Sequence, residues 1–167
     1  MEPMGEKEIR ASFVNCSKGE ASRINLPVGL DGLPWADLDF LGWRDPGAPD
    51  RSYIVAPRAD GVVGVTLRVP QGVRRSFTKT TVCSLCVTGH PGSGVSLLAA
   101  RKAGPSGRQG NTVGTYICAD LACSLYVRGK KRSQLASARY EETLPLEDRI
   151  ARIVMNLDAF LDKVFEE

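Results

Sequence analysis

A single histidine, His90, stands among the 167 residues, and no serine or cysteine can be placed beside it from the order of residues alone. No pair of carboxylates has a spacing that suggests acid–base work, so no catalytic set emerges. The glycine-rich stretch His90-Pro91-Gly92-Ser93-Gly94-Val95-Ser96 lacks the Gly-Lys-Ser/Thr that a phosphate loop needs, which excludes a Walker nucleotide site. Aromatic residues make up only 7%. No run approaches the roughly 18 apolar residues needed to span a bilayer. Met1 to Lys7 carries Glu2, Pro3 and Glu6 and no apolar stretch, so no secretory leader is expected and the expected location is cytoplasmic. Neither an internal repeat nor a strong linker interrupts the chain.

What is present fits one soluble globular unit. With 43% hydrophobic and 25% charged residues, the 18.1 kDa chain is long enough for a single domain with a real core and too short for two large ones. Its net charge is +3, but the charge is segregated: from Arg101 to Tyr140 eight basic residues face the single acid Asp120, giving +7 there and −4 elsewhere. Such a stretch is either a solvated basic face or a field that steers an acidic protein or a polyanion.

Local patterning predicts an α+β fold. Ile9, Phe13 and Cys16 at helical spacing predict one short amphipathic helix over Glu6 to Glu20, with Cys16 as a small buried thiol on its face. Short β-like runs then follow at Leu38 to Trp43, Ser52 to Ala56, Val62 to Val69, Ser76 to Val82, Val95 to Arg101 and Thr112 to Ile117. Turn signals at Asp45-Pro46-Gly47 and Ala59-Asp60-Gly61 make them an antiparallel sheet. Gly104 to Gly110 reads as a polar, mobile hairpin tip. Leu121, Leu125 and Tyr126 suit one or two helical turns ending near Gly129. From Pro145 to Glu167 the residues Ile150, Val154, Leu157, Leu161 and Val164 recur at steps of three or four, predicting a long helix.

Five cysteines are present, and four fall into two close pairs, Cys83-Ser84-Leu85-Cys86 and Cys118 to Cys123, separated by 31 residues. In a chain without an export signal such pairs more often hold a metal than form disulfides. A C-x2-C turn presents two thiolates to one tetrahedral ion. The second pair lies five apart, which an undistorted helix cannot point at one ion, so Cys118 is expected just before a helix and Cys123 within it. A knuckle, a hairpin and a helix bearing the last ligands are the parts of a treble-clef finger. Four protein ligands leave no open position, so Zn2+ would be structural. His90 is read as an exposed loop residue or a substitute ligand. A dithiol oxidoreductase using Cys83 and Cys86 is the enzyme alternative, but that motif belongs at a helix start in a βαβ setting that this sequence does not offer.

These cysteines and their surroundings resemble a known family. Ile24-Asn25-Leu26-Pro27, Phe40-Leu41-Gly42-Trp43, Asp50 to Val55, Cys83 to Cys86, Val95-Ser96-Leu97, Tyr116-Ile117-Cys118 and Phe160 to Lys163 are similar to the FusB-type elongation-factor-G-binding proteins, whose members include fusidic acid resistance determinants. The resemblance implies a C-terminal treble-clef zinc-finger domain that docks on elongation factor G and promotes its release from a stalled ribosome, with no enzymatic activity. It implies one FBP-type domain over residues 1–167, containing a zinc-binding module over 77–130, with Cys83, Cys86, Cys118 and Cys123 as ligands. Room for one leading helix is expected in place of the helical bundle that precedes the domain in the resistance proteins. The implied partner-contacting positions are Val82 and Val113, where the family has an aromatic and a lysine, and Tyr116 and Phe160, where its residues are retained. Arg101, Lys102, Arg128, Lys130, Lys131 and Arg132 would steer the acidic partner. A second reading has the same 101–140 segment bind ribosomal RNA or the ribosome directly.

Overall fold

The computed structural model describes residues 1–72, 80–134 and 142–166. The fold is α+β, built on a five-stranded antiparallel sheet of order β1-β2-β3-β6-β7. Its strands are β1 (Leu41–Asp45), β2 (Ala48–Arg58), β3 (Gly61–Arg68), β6 (Val95–Arg101) and β7 (Thr112–Cys118). A two-stranded ribbon, β4 (Thr81–Val82) with β5 (Gly89–His90), stands apart from it. Most of the strand expected from Ser76 falls on residues 73–79, outside those described.

Alternation along the strands gives each face of the sheet its own core. One face carries Ile54, Ala56, Val65, Leu67, Leu98, Ala100 and Ile117 against the four paired cysteines and the last helix. That helix, α5 (Leu146–Phe165), buries Ile153, Leu157, Phe160, Leu161 and Val164. Its spacing of three and four residues puts these side chains on one stripe. The other face carries Leu41, Trp43, Tyr53 and Val55 beneath Met4, Ile9, Ile24, Trp35 and Leu38 of the leading segment.

The single leading helix expected over Glu6 to Glu20 is instead two short ones, α1 (Glu6–Ala11) and α2 (Lys18–Ser22). Between them the chain runs along β3: Gly64 N–H donates to Ser12 O at 2.9 Å and Val14 N–H to Gly64 O at 3.0 Å. Only a glycine allows this approach, since a Cβ on residue 64 would lie 2.5 Å from Ser12 Oγ. The sequence carries a signal for the restart of the helix. Ser17 and Glu20 form a capping box, with Glu20 N–H donating to Ser17 Oγ at 3.2 Å and Ser17 N–H to Glu20 Oε2 at 2.8 Å. Cys16 therefore sits half-buried in a loop and not on a helix face.

Asn15 completes this wedge. Its side-chain amide donates to Thr66 O and Arg101 O, each at 3.0 Å, while its Oδ1 accepts from Thr66 N–H at 2.8 Å. β3 and β6 are consequently paired only at Leu67↔Ala100 and Arg68↔Ala99. The glycine-rich tip expected after Arg101 contains a short helix, α3 (Gly104–Arg108). Among the described residues no helix is long and apolar enough to cross a membrane.

Candidate metal centre

The two cysteine pairs converge from four elements. β4 leads into Cys83, and the chain folds back through Cys86 to β5, with Cys83 N–H donating to Thr88 O at 3.0 Å and Val87 N–H to Cys83 O at 2.9 Å. Inside that turn the Leu85 and Cys86 N–H groups point at Cys83 Sγ, at 3.4 and 3.5 Å. Cys118 ends β7, and Cys123 opens α4 (Cys123–Val127). The five-residue offset is absorbed by a left-handed residue, Leu121 at φ 58°. Val87, just after the first pair, has the matching conformation at φ 61°.

All four sulfurs are buried, and all lie within 4.8 Å of one another. Cys83 Sγ is 3.7 Å from Cys123 Sγ, and Cys86 Sγ is 3.5 Å from Cys118 Sγ. A disulfide would need about 2.05 Å. A tetrahedron with zinc–sulfur bonds of about 2.3 Å has edges of ~3.8 Å, so the donor set fits that ion. Hydrogen bonds from Cys118 and Cys123 hold the Cys83 and Cys86 thiols below their ordinary value, and bonds with Cys118, Cys83 and Cys86 push Cys123 up. Four sulfurs this close cannot all be thiolates without a cation among them.

Several groups hold this cluster in place. His90 is neither exposed nor one of the four: it is buried, with Nε2 3.3 Å from Cys118 Sγ, and burial lowers its pKa. Its ring meets that of Tyr126 edge-on at 4.8 Å. Tyr126 O–H donates to Asp120 at 2.8 Å, and Lys131 pairs with the same carboxylate at 2.7 Å. These bonds lower the Asp120 pKa against the opposing effect of its burial. From α5, Asn156 donates to Leu85 O at 3.0 Å and Arg152 to Cys86 O at 3.2 Å. Sequence reasoning passed over Asn156 and Arg152. The signal was polar residues one position before Ile153 and Leu157 of the apolar stripe.

The chain matches the FBP C-terminal treble-clef zinc-finger family over residues 8–164. It belongs to that family. Among solved structures, that of the fusidic acid resistance protein FusC is similar, with a TM-score of 0.45 and 16% identity over 94% of this chain and 63% of that one. The chain thus spans less than two thirds of the FusC chain. A comparison with curated proteins gave no match.

The other singled-out residues of this FBP zinc-finger chain are placed as follows. Tyr116 and Val82 are each 52% exposed, whereas Phe160 is 5% exposed. Val113 is half-buried against the core. Tyr116 and Phe160 nevertheless line one cleft of about 340 Å³ between β7, α5 and the knuckle, together with Ser84, Leu85, Asn156 and Lys163. Four of the basic segment's eight cations are paired, three of them with acids from elsewhere. Arg128 pairs with Asp39 through two bonds of 2.7 and 2.8 Å, Lys130 with Asp37, Lys131 with Asp120, and Lys102 lies 4.0 Å from Glu166. Arg101 and Arg132 are exposed and make no ion pair among the described residues. Arg139 lies outside them.

Proposed function

We propose that this chain is a non-enzymatic zinc protein of the cytoplasm that binds elongation factor G and aids its release from stalled ribosomes, as the FusB-type resemblance implies. Residues 1–167 form one FBP-type domain, and 77–130 its treble-clef module. Cys83, Cys86, Cys118 and Cys123 hold a structural Zn2+ that stiffens the knuckle. With every coordination position filled by sulfur, the ion contributes folding energy and activates no water.

The observation that carries the reading is the cleft shared by Tyr116 and Phe160 beside the knuckle residues Ser84 and Leu85. An exposed tyrosine over a rigid, partly apolar cleft has the character of an interface anchor. Phe160, being buried, supports the cleft wall. Val82 stands exposed at the entrance to the knuckle, where the family carries an aromatic.

Calorimetric titration with elongation factor G from the same cell tests this. A one-to-one complex is expected. Tyr116→Ala should weaken it by ~2 kcal/mol or more, and Val82→Phe should tighten it. Since Arg128, Lys130 and Lys131 are already paired, affinity should fall only modestly with salt. Absence of any complex at low salt would remove the reading.

A further inference from the structure

On the sheet face away from the metal centre, three arginines stand together, with one acid, Glu20, close to Arg101. Arg51 of β2 lies directly opposite Arg68 of β3. Arg68 faces Ala99 of β6, and Arg101 is two residues along the same strand, so all three share one face. Arg51 and Arg68, directly opposite, are ~5 Å apart at Cβ, and Arg101 stands across the cleft where β3 and β6 part. All three are exposed, and no ion pair joins them to an acid among the described residues. Like charges placed directly opposite each other are destabilising, so the fold itself gains nothing from the Arg51–Arg68 pairing.

Arg68 and Arg101 flank a second cleft, of about 300 Å³, where the Asn15 wedge splays β3 from β6. Thr66, Gln71 and Thr112 add neutral donors to its lining, and Glu20 stands in its wall, tied to Ser17. Farther along the same face, Tyr116 lies opposite Leu97, four residues or roughly 13 Å from Thr112, the partner of Arg101.

We infer that this face binds single-stranded RNA, its phosphates on Arg51, Arg68 and Arg101 and one base stacked on Tyr116. Guanidinium forks match phosphate oxygens in two-bond geometry. A basic track beside an exposed aromatic is the arrangement that holds single strands with little sequence preference. An acidic protein surface fits less well, because the cores of protein interfaces are depleted in charge and rest on apolar anchors, which this row lacks. The inference does not rest on elongation factor G. It draws only Arg101 and Tyr116 from the 101–140 segment, where Arg128, Lys130 and Lys131 are occupied.

The test is fluorescence anisotropy with a labelled 12-nucleotide oligouridine. Three phosphate contacts predict a log–log salt slope of about −2, or about 20-fold weaker binding at 200 mM than at 50 mM salt. Arg68→Gln and Arg101→Gln should each weaken binding and reduce that slope by about 0.7. Glu20→Gln, which preserves the capping box, should tighten it. Arg51→Gln should weaken binding while leaving the melting temperature unchanged or higher. No binding at 50 mM salt, or arginine variants with unaltered affinity and slope, would overturn the proposal. So would equally strong competition by a 12-residue polyglutamate, which would assign the face to an acidic protein.

Discussion

Leu121 and Val87 mark where single residues bear the cost of bringing four sulfurs together. Both are non-glycine residues in the left-handed region, which costs ~1–2 kcal/mol for a side chain with a Cβ. Val87 is 43% exposed and packs little, so Val87→Gly should raise stability by about 1 kcal/mol in urea titration. Leu121 is buried, and Gly42 of β1 receives it: a Cβ on residue 42 would lie 2.7 Å from Leu121 Cβ and 3.1 Å from its carbonyl oxygen. Gly42→Ala should therefore cost ~1–3 kcal/mol and speed zinc loss to a chromogenic chelator. Two further side chains make the stability of the fold depend on pH. Hydrogen bonds from Asn25, Gly47, Tyr53 and Ala48 lower the Asp45 pKa in spite of its burial, so its stabilising contribution is present above the ordinary carboxyl value and is lost as pH falls below about 4. Burial and the bond to Asp45 push Tyr53 up to about 12, so its contribution is complete below pH 10 and disappears between about 10 and 12. Absorbance titration at 295 nm should show late phenols, Tyr53 and Tyr126, of which Tyr53→Phe removes the earlier.

At the scale of elements, α5 does two jobs. Its apolar stripe closes one core, and its polar edge bonds the Leu85 and Cys86 carbonyls of the knuckle. Leu157→Ala should cost ~2–5 kcal/mol in unfolding. Asn156→Ala should cost less, ~1–3 kcal/mol for a carbonyl left without its donor, yet release zinc faster than its stability loss alone explains. Comparing the two variants separates core support from knuckle support. The stripe on α5 was legible at Leu157, Leu161 and Val164, whereas Val154, which the spacing also put on it, is exposed and Ile153 and Phe160 are buried instead. The strands Val95–Arg101 and Thr112–Cys118 were legible because alternation and turn residues agree. The leading helix was misread because Phe13 and Cys16 continue the helical spacing, while the force that breaks it is long-range: the backbone of residues 12–14 pairs with Gly64, and Asn15 bonds Thr66 and Arg101. His90 was misread for a similar reason. A histidine in a Gly/Pro stretch looks exposed until β5 pairs with β4 and carries it beneath Cys118. The pairing of Arg128 with Asp39, 89 residues away, is equally invisible in the segment that contains Arg128.

For the whole molecule, the sheet separates two surfaces. One side carries the four sulfurs and α5; the other carries the leading segment and the arginine row, with Tyr116 on the edge strand β7 beside both. The first surface depends on the metal and the second on the Asn15 wedge. Stripping zinc should therefore unfold the knuckle and abolish the elongation factor contact, while the oligonucleotide contact through Arg51, Arg68 and Arg101 should outlast it as long as the sheet stays folded. The most direct measurement is zinc analysis combined with a thiol titration on the purified chain. The account predicts one zinc per chain, at most one reactive thiol in the folded protein, that of half-buried Cys16, and five after chelation and unfolding. A metal-free folded chain with four or five reactive thiols, or one whose cysteines are oxidised in pairs, would contradict it.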